Sequence, residues 1–206
     1  KKSNNRISAS IGSQCDLESA FMLKNLLNLF GKVTIQNSEA NILKEIDFES
    51  LYKFNATINK IEEADVCLLI GVDPRKEAAI LNLQLRKHFV NSNLKVANIG
   101  LVLNLTFPCV QLGSSVEDVL KLAQGQNSFC KLLKKSKKPM IIFGSSFFDS
   151  IDESTARLIL SFITKNINVV SKNWNGINFL GSQASQVGCS EIGIGANTLS
   201  TKPKFL

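Results

Sequence analysis

Two hydrophobic periods alternate along the chain, and this alternation constrains the fold more than any other feature. Residues 66–71 are continuously apolar, which is typical of a strand covered on both faces. In residues 75–89, apolar side chains recur at helical spacing after Pro74, a favoured first residue of a helix. Strands that alternate with crossover helices pair in parallel. The sequence therefore predicts an α/β fold: a three-layer, mainly parallel sheet with helices on both faces.

The same alternation predicts further elements. The predicted helices cover residues 16–30, 116–123, 128–135 and 153–164, and the predicted strands cover residues 33–35, 94–100, 140–144 and 167–170. Ser13 precedes the first helix, and Gly31 is the expected residue just past its end. Residues 180–204 are rich in Gly and Ser and have no sustained period. We therefore predict a single domain over residues 1–206, in which residues 180–206 form an irregular tail.

The chain is basic, but its charge is scattered. Lys and Arg number 24 against 17 Asp and Glu, which gives a net charge of +7. Residues 131–138 form a basic run at the end of a predicted helix, where cations interact favourably with the helix dipole. One Trp and one Tyr offer few rings for stacking on bases. We therefore expect no nucleic-acid partner. We also expect no membrane insertion, because every apolar run is far shorter than the roughly 18 residues of a membrane helix.

The five cysteines are too far apart in sequence to suggest a metal site. They are Cys15, Cys67, Cys109, Cys130 and Cys189. No pair forms a C-x-x-C motif, so zinc and iron–sulfur ligation within this chain are both disfavoured. Cys67 lies inside the apolar strand segment, where a thiol behaves as a small hydrophobic group. An odd number of cysteines in a chain of this size indicates a reducing compartment.

Three glycine-containing turns follow predicted strands, and in an open parallel sheet ligands bind at such turns. They are residues 71–75, 100–104 and 144–146. None spells the dinucleotide fingerprint G-x-G-x-x-G or the phosphate loop G-x-x-x-x-G-K-[ST]. Asp73 would compete with a phosphate for the start of the following helix, so we assign it a capping role. Arg75 could reverse that local charge, or it could pair with Asp73, Glu77 or an acidic group of a partner.

Side chains for acid–base or nucleophilic chemistry are few. His88 is the only histidine, and it lies late in a predicted helix beside Lys87, with no nucleophile nearby in sequence. We interpret it as a surface histidine that interacts with the helix dipole. The carboxylate pairs at residues 62–63 and 152–153 stand at the starts of predicted elements, where capping explains them. The sequence predicts no catalytic residue in this chain, and whether the chain is part of an enzyme stays open.

A run in the middle of the chain resembles a known family. The segment Glu62–Ala78, EEADVCLLIGVDPRKEA, is similar to a stretch of the large iron–sulfur subunit of respiratory NADH:ubiquinone oxidoreductase, complex I, in its molybdopterin-oxidoreductase-like region. Further matching positions follow in the family's order, namely Asn82, Arg86, Lys87 and residues 94–100, 112–113 and 137–146. Because several separated motifs agree in order and spacing, the resemblance is specific. It covers roughly residues 7–195.

The resemblance implies a fold and the loss of a cofactor. It implies a molybdopterin oxidoreductase-like, Rossmann-like fold that no longer binds the pterin. Asp73 stands where the family usually has Asn at the phosphate-facing turn, so Gly71, Asp73 and Arg75 would form a vestigial ligand-facing turn. The family's iron–sulfur clusters are bound by an N-terminal cysteine-rich region that has no counterpart in this chain. We therefore expect no cofactor in this chain and iron–sulfur clusters in partner chains.

The resemblance also implies a location and partners. The chain would be a structural, non-redox part of the peripheral arm of complex I, on the matrix side of the mitochondrial inner membrane. Family members are much longer than 206 residues, so the gene is split or the chain is a fragment. Lys outnumbers Arg and Asn is abundant, which suggests AT-rich coding DNA and favours a split mitochondrial gene. The expected partners are the cluster-bearing chain of the same subunit and other peripheral-arm subunits.

Two alternatives stay open at the level of sequence. The chain could be a pterin-dinucleotide-binding fragment of a molybdenum oxidoreductase such as a formate dehydrogenase, with phosphates at Gly71 or Gly144. It could also be a free-standing nucleotide-binding module that binds its ligand as a monomer. The complex I role is favoured over both because it requires no catalytic group in this chain.

Overall fold

Two compact units make up the structure, a computed structural model that describes residues 7–12, 14–30, 33–37 and 52–194. The larger unit comprises residues 50–180, and the smaller comprises residues 1–49 and 181–206. The sequence predicts one domain over residues 1–206, whereas the packing of the Cα atoms divides the chain in this way.

Strands and helices alternate along the chain. The strands are β1 (Ile7–Ile11), β2 (Val33–Asn37), β3 (Val66–Ile70), β4 (Lys95–Ile99), β5 (Val110–Gly113), β6 (Pro139–Gly144), β7 (Val170–Ser171), β8 (Trp174–Asn175) and β9 (Ile177–Leu180). The helices are α1 (Leu17–Asn28), α2 (Pro74–Glu77), α3 (Ala79–Ser92), α4 (Val116–Ala123), α5 (Ser128–Lys135), α6 (Ser145–Asp149), α7 (Glu153–Asn166) and α8 (Gln186–Glu191). A 3-10 helix covers Ile58–Glu63.

The larger unit contains a five-stranded sheet in the order β5-β4-β3-β6-β9, with every neighbouring pair parallel. In its register, Val66 of β3 pairs with Lys95 of β4 and with Pro139 of β6. The chain winds outward from β3 through β4 to β5 and then returns to the other side of β3 as β6. The winding direction therefore reverses between β3 and β6, which makes this pair the switch point of the sheet.

Both faces of this sheet are buried, which explains its continuously apolar strands. On one face, Cys67 and Met140 belong to the same hydrophobic cluster as Leu81 and Leu85 of α3. On the opposite face, the alternate residues of the same strands, such as Leu68, are also fully buried. The apolar sides of α4, α5 and α7 are buried as well. The predicted α/β fold with a mainly parallel sheet is confirmed.

The two edges of the sheet differ. Along β9 an earlier segment of the chain runs antiparallel, because Phe54 bridges Asn178 and the Phe179 N–H donates to the Lys53 carbonyl over 3.1 Å. The Asn178 side chain also accepts from the Ala56 N–H at 2.8 Å. At the other edge, β5 has four residues and its register with β4 is irregular. Among the described residues, the outer edge of β5 is therefore the open edge of this five-stranded sheet.

The smaller unit has a core of its own. Its strands β1 and β2 pair in parallel, and α1 contacts α8. Ile11, Ala20, Cys189 and Ile194 form the buried cluster of this unit. The irregular tail predicted for residues 180–206 is therefore wrong in part, because Cys189 buries its side chain from a helix within that range. Residues 195–206 lie outside the described part of the chain.

Three local predictions differ from the structure. The predicted helix over residues 75–89 is divided at Ala78, whose φ of −148° and ψ of 76° are not helical. The predicted strand over residues 167–170 is reduced to β7, which pairs antiparallel with β8 outside the main sheet. Helix α1 is capped by Asp16, whose carboxylate accepts from the Ser19 N–H. The predicted boundary residues Ser13 and Gly31 lie outside the described residues.

Strands β1, β5, β8 and β9 and helices α6 and α8 are not predicted from the sequence. Each of them is short, and none has the continuous apolar run that marks β3 and β6. In the part of the chain that the structure describes, each helix is either too short or too polar to span a bilayer.

Candidate functional site

A cleft of about 510 Å³ lies at the carboxyl end of the parallel sheet, at its switch point. The loops that follow β3, β4, β5 and β6 line it, so the three turns singled out from the sequence meet at one place. Open α/β sheets bind ligands in this crevice because the strand direction and the starts of the following helices converge there. The cleft is therefore the candidate functional site of the larger unit.

Glycines in two of these turns allow the β3 and β6 loops to approach each other closely. Gly71 has φ of +60°, a left-handed conformation that favours glycine. A Cβ on Gly144 would lie 2.1 Å from the Gly71 carbonyl oxygen, and a Cβ on Gly71 would lie 2.9 Å from the Phe147 backbone nitrogen. The Ser146 hydroxyl donates to the Gly71 carbonyl. These glycines are therefore explained by contacts within the protein, without a ligand.

At the start of α2, carboxylates of the chain itself accept hydrogen bonds from backbone N–H groups. The Asp73 carboxylate accepts from the Arg75 N–H at 3.1 Å, and the Glu77 carboxylate accepts from the Asp73 N–H at 2.8 Å. Lys76 forms an ion pair with Asp73 at 3.5 Å. The capping role predicted for Asp73 is therefore what the structure contains.

Arg75 has a different partner from those considered in the sequence analysis. Its guanidinium donates to the Asn104 carbonyl at 2.8 Å, in the loop that follows β4. Its backbone N–H, by contrast, bonds to the Asp73 side chain. Gly71 and Asp73 thus line the cleft, whereas Arg75 is not one of its lining residues and holds a neighbouring loop through its guanidinium.

At the start of α4, backbone N–H groups likewise donate to a carboxylate, here as part of a capping box. The Asp118 carboxylate accepts from the N–H groups of Ser114 and Ser115, both at 3.1 Å, and from the Ser115 hydroxyl at 2.9 Å. These hydrogen bonds, chiefly those from Ser115, lower the pKa of Asp118. Sequence analysis missed this feature, although Ser115 followed three residues later by an acidic residue is a capping signature.

The loop after β4 is fixed by side chains from the sheet. The Asn98 amide donates to the Leu101 carbonyl at 2.7 Å and to the Gln111 side chain at 2.9 Å. The Gln111 amide in turn donates to the Gly100 carbonyl at 2.8 Å. Leu101 and Val102 nevertheless project into solvent, each 85% exposed. Neither the anchoring residues nor the two exposed apolar residues were recognised from the sequence, because their roles depend on the pairing of β4 with β5.

His88 is not one of the residues that line the cleft, and the structure shows that its predicted position on the surface is wrong. Its side chain is 6% exposed, and Nε2 lies 2.7 Å from the Ala64 carbonyl oxygen. A dipole argument considers only the helix that carries the residue, whereas here the 3-10 helix segment packs over the ring and supplies a hydrogen-bond partner. His88 is therefore a core residue that ties α3 to the segment before β3.

Four of the five thiols are held in the protonated form by their surroundings. Burial raises the pKa of Cys67 and raises the pKa of Cys109 to about 11. Burial also raises the pKa of Cys130 and of Cys189. Among the described residues, no three His, Cys, Asp or Glu side chains are grouped so that they could hold a metal ion. Cys67 is fully buried in β3, as its position in an apolar strand predicts.

Comparison with known proteins identifies the family. The model of the molybdopterin oxidoreductase family matches residues 1–206. The chain belongs to the molybdopterin oxidoreductase family. Within it, the chain is 36% identical over 208 residues to the NADH-ubiquinone oxidoreductase 75 kDa subunit of Reclinomonas americana, with 95% of this chain covered. It is 39% identical over 209 residues to the mitochondrial 78 kDa subunit of Candida albicans, with 98% covered.

These relatives confirm the resemblance to the large complex I subunit. The chain spans only 30% of the Reclinomonas subunit and 28% of the Candida subunit. A more distant likeness extends to a chain of the formyltransferase/hydrolase complex FhcABCD from Methylorubrum extorquens, solved with methylofuran. The TM-score is 0.57 at 12% identity, over 92% of this chain and 59% of that chain. This likeness shows the fold alone.

The family name implies a molybdopterin cofactor, and the cleft does not fit one. A pterin dinucleotide carries a pyrophosphate, which would bind the amides at helix starts. At α2 and α4 those amides already donate to Asp73, Glu77 and Asp118. A phosphate there would meet carboxylates at close range, and that repulsion grows as water is excluded. Phosphates were also expected beside Gly71 or Gly144, but the space next to each of these glycines is occupied by the loop that carries the other.

Proposed function

We propose that this chain is a structural, non-redox part of NADH:ubiquinone oxidoreductase, complex I. The observation that carries the proposal is the identity of 36% and 39% to the 75 kDa and 78 kDa subunits of that enzyme, over nearly the whole of this chain. The chain would occupy in complex I the position of the matching region of those subunits.

The non-redox part of the proposal is supported by the cysteines and the cleft. Iron–sulfur clusters bind thiolates, and burial opposes thiolate formation at Cys67, Cys109, Cys130 and Cys189. The cleft directs carboxylates towards the amides that a pterin pyrophosphate would need. Electrons would therefore pass through clusters held by other polypeptide segments, and this chain would give those segments a rigid support.

The proposed partners come from the identity of the relatives. Because these relatives are the 75 kDa and 78 kDa subunits of complex I, we propose a second chain of the same subunit as the first partner. We propose that this partner carries the iron–sulfur clusters and that the assembly forms the peripheral arm on the matrix side of the mitochondrial inner membrane. The relatives from Candida albicans and Solanum tuberosum are mitochondrial by name.

Affinity purification of the tagged full chain from cells that carry its gene tests the proposal. We expect NADH:ubiquinone oxidoreductase subunits in the eluate, NADH oxidation with a quinone acceptor, and iron in the assembly. Native mass spectrometry should then release this chain without iron or molybdenum. Recovery of the chain alone, or with molybdenum bound, would overturn the proposal, and the second result would favour a molybdenum oxidoreductase such as a formate dehydrogenase.

A further inference from the structure

Two thiols of the smaller unit belong to one buried contact, although they lie near opposite ends of the sequence. Cys15 lies just before α1, and Cys189 lies in α8. Cys189 belongs to the buried cluster of the smaller unit, and Cys15 packs against that cluster. Both are free cysteines. Because the smaller unit is assembled from residues 1–49 and 181–206, a bond between these thiols would join its two segments covalently.

Hydrogen bonds with one serine fix the two cysteine backbones relative to each other. The Ser185 hydroxyl donates to the Cys15 carbonyl, and the Ser185 carbonyl accepts from the Cys189 N–H at 2.7 Å. A Cβ on Gly188, the residue before Cys189, would lie 2.8 Å from the side chain of Leu17. Helix α8 therefore lies directly against the start of α1, and both cysteines are at this contact.

The electrostatics of Cys189 agree with this packing. Burial raises the pKa of Cys189 above its ordinary value, a hydrogen bond with Ser185 opposes that change, and the nearby Cys15 raises the pKa further. One thiol influences the pKa of another in this way only when the two groups lie close together, because the repulsion between two thiolates weakens with distance. Both thiols therefore lie in one small region of the smaller unit.

A second cysteine pair, in the larger unit, shows that electrostatic proximity alone does not permit a disulfide. Burial raises the pKa of Cys67, and Cys109 raises it further. Cys67 pairs with Val96 in β4, and Cys109 stands just before β5, on the other side of β4. Two strand spacings of about 4.8 Å each separate these residues, whereas a disulfide needs Cα atoms within about 7 Å. In the smaller unit, by contrast, the segments that carry the two thiols are in direct contact.

The two thiols differ in their access to solvent. Cys15 is half-buried, whereas Cys189 is 1% exposed. A small neutral oxidant such as hydrogen peroxide would therefore reach Cys15 first. Thiolates are the reactive form, and burial raises the pKa of Cys189 and so disfavours its thiolate. These differences make Cys15 the thiol that reacts with the oxidant and Cys189 the thiol that resolves the product.

We propose that Cys15 and Cys189 form a redox modification site, which hydrogen peroxide converts to a disulfide. The Cys15 sulfur attacks one peroxide oxygen and the O–O bond breaks, which gives the Cys15 sulfenic acid and one water. The Cys189 sulfur then attacks the Cys15 sulfur, the S–O bond breaks, and the sulfenic oxygen leaves with the thiol proton as a second water. Two thiols thus lose two electrons, and one peroxide gains them. In a reducing compartment, a dithiol reductant such as thioredoxin would restore both thiols by exchange, so the bond is transient.

Treatment of the purified full chain with hydrogen peroxide tests the site. The intact mass of the unaltered chain should fall by about 2 Da, the mass of two hydrogen atoms. Digestion without reductant should then release a pair of peptides linked through Cys15 and Cys189, and dithiothreitol should restore both thiols. Oxidation that forms no disulfide, that links Cys67 to Cys109 instead, or that joins Cys15 to a second copy of the chain would overturn the proposal.

Serine substitutions assign the two roles. In Cys189→Ser the sulfenic acid at Cys15 has no resolving thiol, so dimedone, which labels sulfenic acids, should label Cys15 about tenfold more than in the unaltered chain. In Cys15→Ser, peroxide should produce no disulfide. Cys109→Ser is the matched control, since Cys109 is also half-buried, and it should still form the bond between Cys15 and Cys189. Equal dimedone labelling of Cys15 with and without Cys189 would contradict the resolving role and overturn the proposal.

Discussion

The two ends of the parallel sheet use their polar groups in different ways. At the amino end, polar groups tie separate segments together: Asp65 accepts from the N–H groups of Lys137 and Lys138, His88 bonds to Ala64, and the Trp174 indole donates to the Pro139 carbonyl at 2.8 Å. At the carboxyl end, carboxylates satisfy amides only a few residues away, and single bonds from Ser146 and Arg75 link neighbouring loops. Both ends therefore join distant segments, but only the carboxyl end combines local carboxylate caps with the outline of a ligand site.

This difference predicts that substitutions at the two ends of the sheet affect the stability of the fold to different degrees. Long-range ties at the amino end should make substitutions there costly, because each removes a contact between distant segments. Local caps at the carboxyl end should tolerate conservative changes. Trp174 is the only tryptophan and is 3% exposed, so its fluorescence reports unfolding of the larger unit in urea.

The largest expected effect is Gly176→Ala at the amino end. A Cβ there would lie 2.0 Å from the Pro139 carbonyl oxygen, a backbone atom that has little freedom to move. We expect the free energy of unfolding to fall by about 3 kcal/mol. Lys172→Ala is the control, since this side chain is exposed and lies in the same unit as Trp174, and it should cost less than about 0.5 kcal/mol. Equal urea midpoints for the two variants would contradict this account of the amino end.

The next effect is His88→Leu. The substitution keeps most of the volume but leaves the buried Ala64 carbonyl without the ring nitrogen, which should cost about 2 kcal/mol. Lys87→Leu is the matched control on the same helix. It removes an exposed ion pair with Glu62 at 2.6 Å and should cost at most about 0.5 kcal/mol. If His88→Leu unfolds at the same urea concentration as the control, the histidine is not a structural tie.

A smaller, pH-dependent effect is expected for Asp65→Asn. Burial alone would raise the pKa of Asp65, but hydrogen bonds from Lys138, Lys137 and Ser136 outweigh burial and lower it. A lowered pKa means that the ionised group stabilises the fold above its usual pKa of about 3.9 and loses this contribution as the pH falls through the lower, folded value. Because the side chain is partly exposed, we expect a cost of about 1 kcal/mol at pH 7.

The pH series distinguishes this charge effect from a packing effect. The difference in unfolding free energy between Asp65→Asn and the unaltered chain should shrink in urea titrations as the pH is lowered below 4. Asp149→Asn, a change at an exposed residue of α6, should show no such cost at pH 7. A difference that stays constant over the whole range would argue against the hydrogen-bonded carboxylate as its origin.

The smallest effect is expected at the carboxyl end, for Asp73→Asn. Asn caps a helix about as well as Asp, and the ion pair with Lys76 is a surface contact, so the cost should stay below about 0.5 kcal/mol. Asp73→Ala, which removes the cap, should cost about 1 kcal/mol. If urea unfolding shows the Asn variant to be as destabilised as the Ala variant, the charge of Asp73 matters more than its hydrogen bond.

The same contrast explains which parts of the molecule the sequence could predict. Helices α4 and α5 are predicted residue by residue because the apolar stripe that marks each of them is a local signal. Strands β3 and β6 are predicted because burial on both faces leaves a continuous apolar run. Strand β9 is missed because Asn178 interrupts its apolar run, and that polar residue is explained only by its hydrogen bond to the distant Ala56.

For the candidate site, interactions between residues close in sequence were again predictable, and interactions between separate elements were not. The capping role of Asp73 follows from its position before Pro74. Two features require knowledge of which strands are neighbours: the bond from Arg75 to Asn104, and the hydrogen bonds by which Asn98 and Gln111 hold the loop after β4. The misplacement of His88 has the same origin, because its partner Ala64 lies in another element.

The unequal edges of the main sheet bear on the tendency of the chain to aggregate. An exposed strand edge is a template for aggregation, since its free amides and carbonyls can pair with another chain. The antiparallel segment around Phe54 shields β9, and the four residues and irregular register of β5 make a poor template. A chain whose main sheet has these two edges should therefore resist polymerising into fibres.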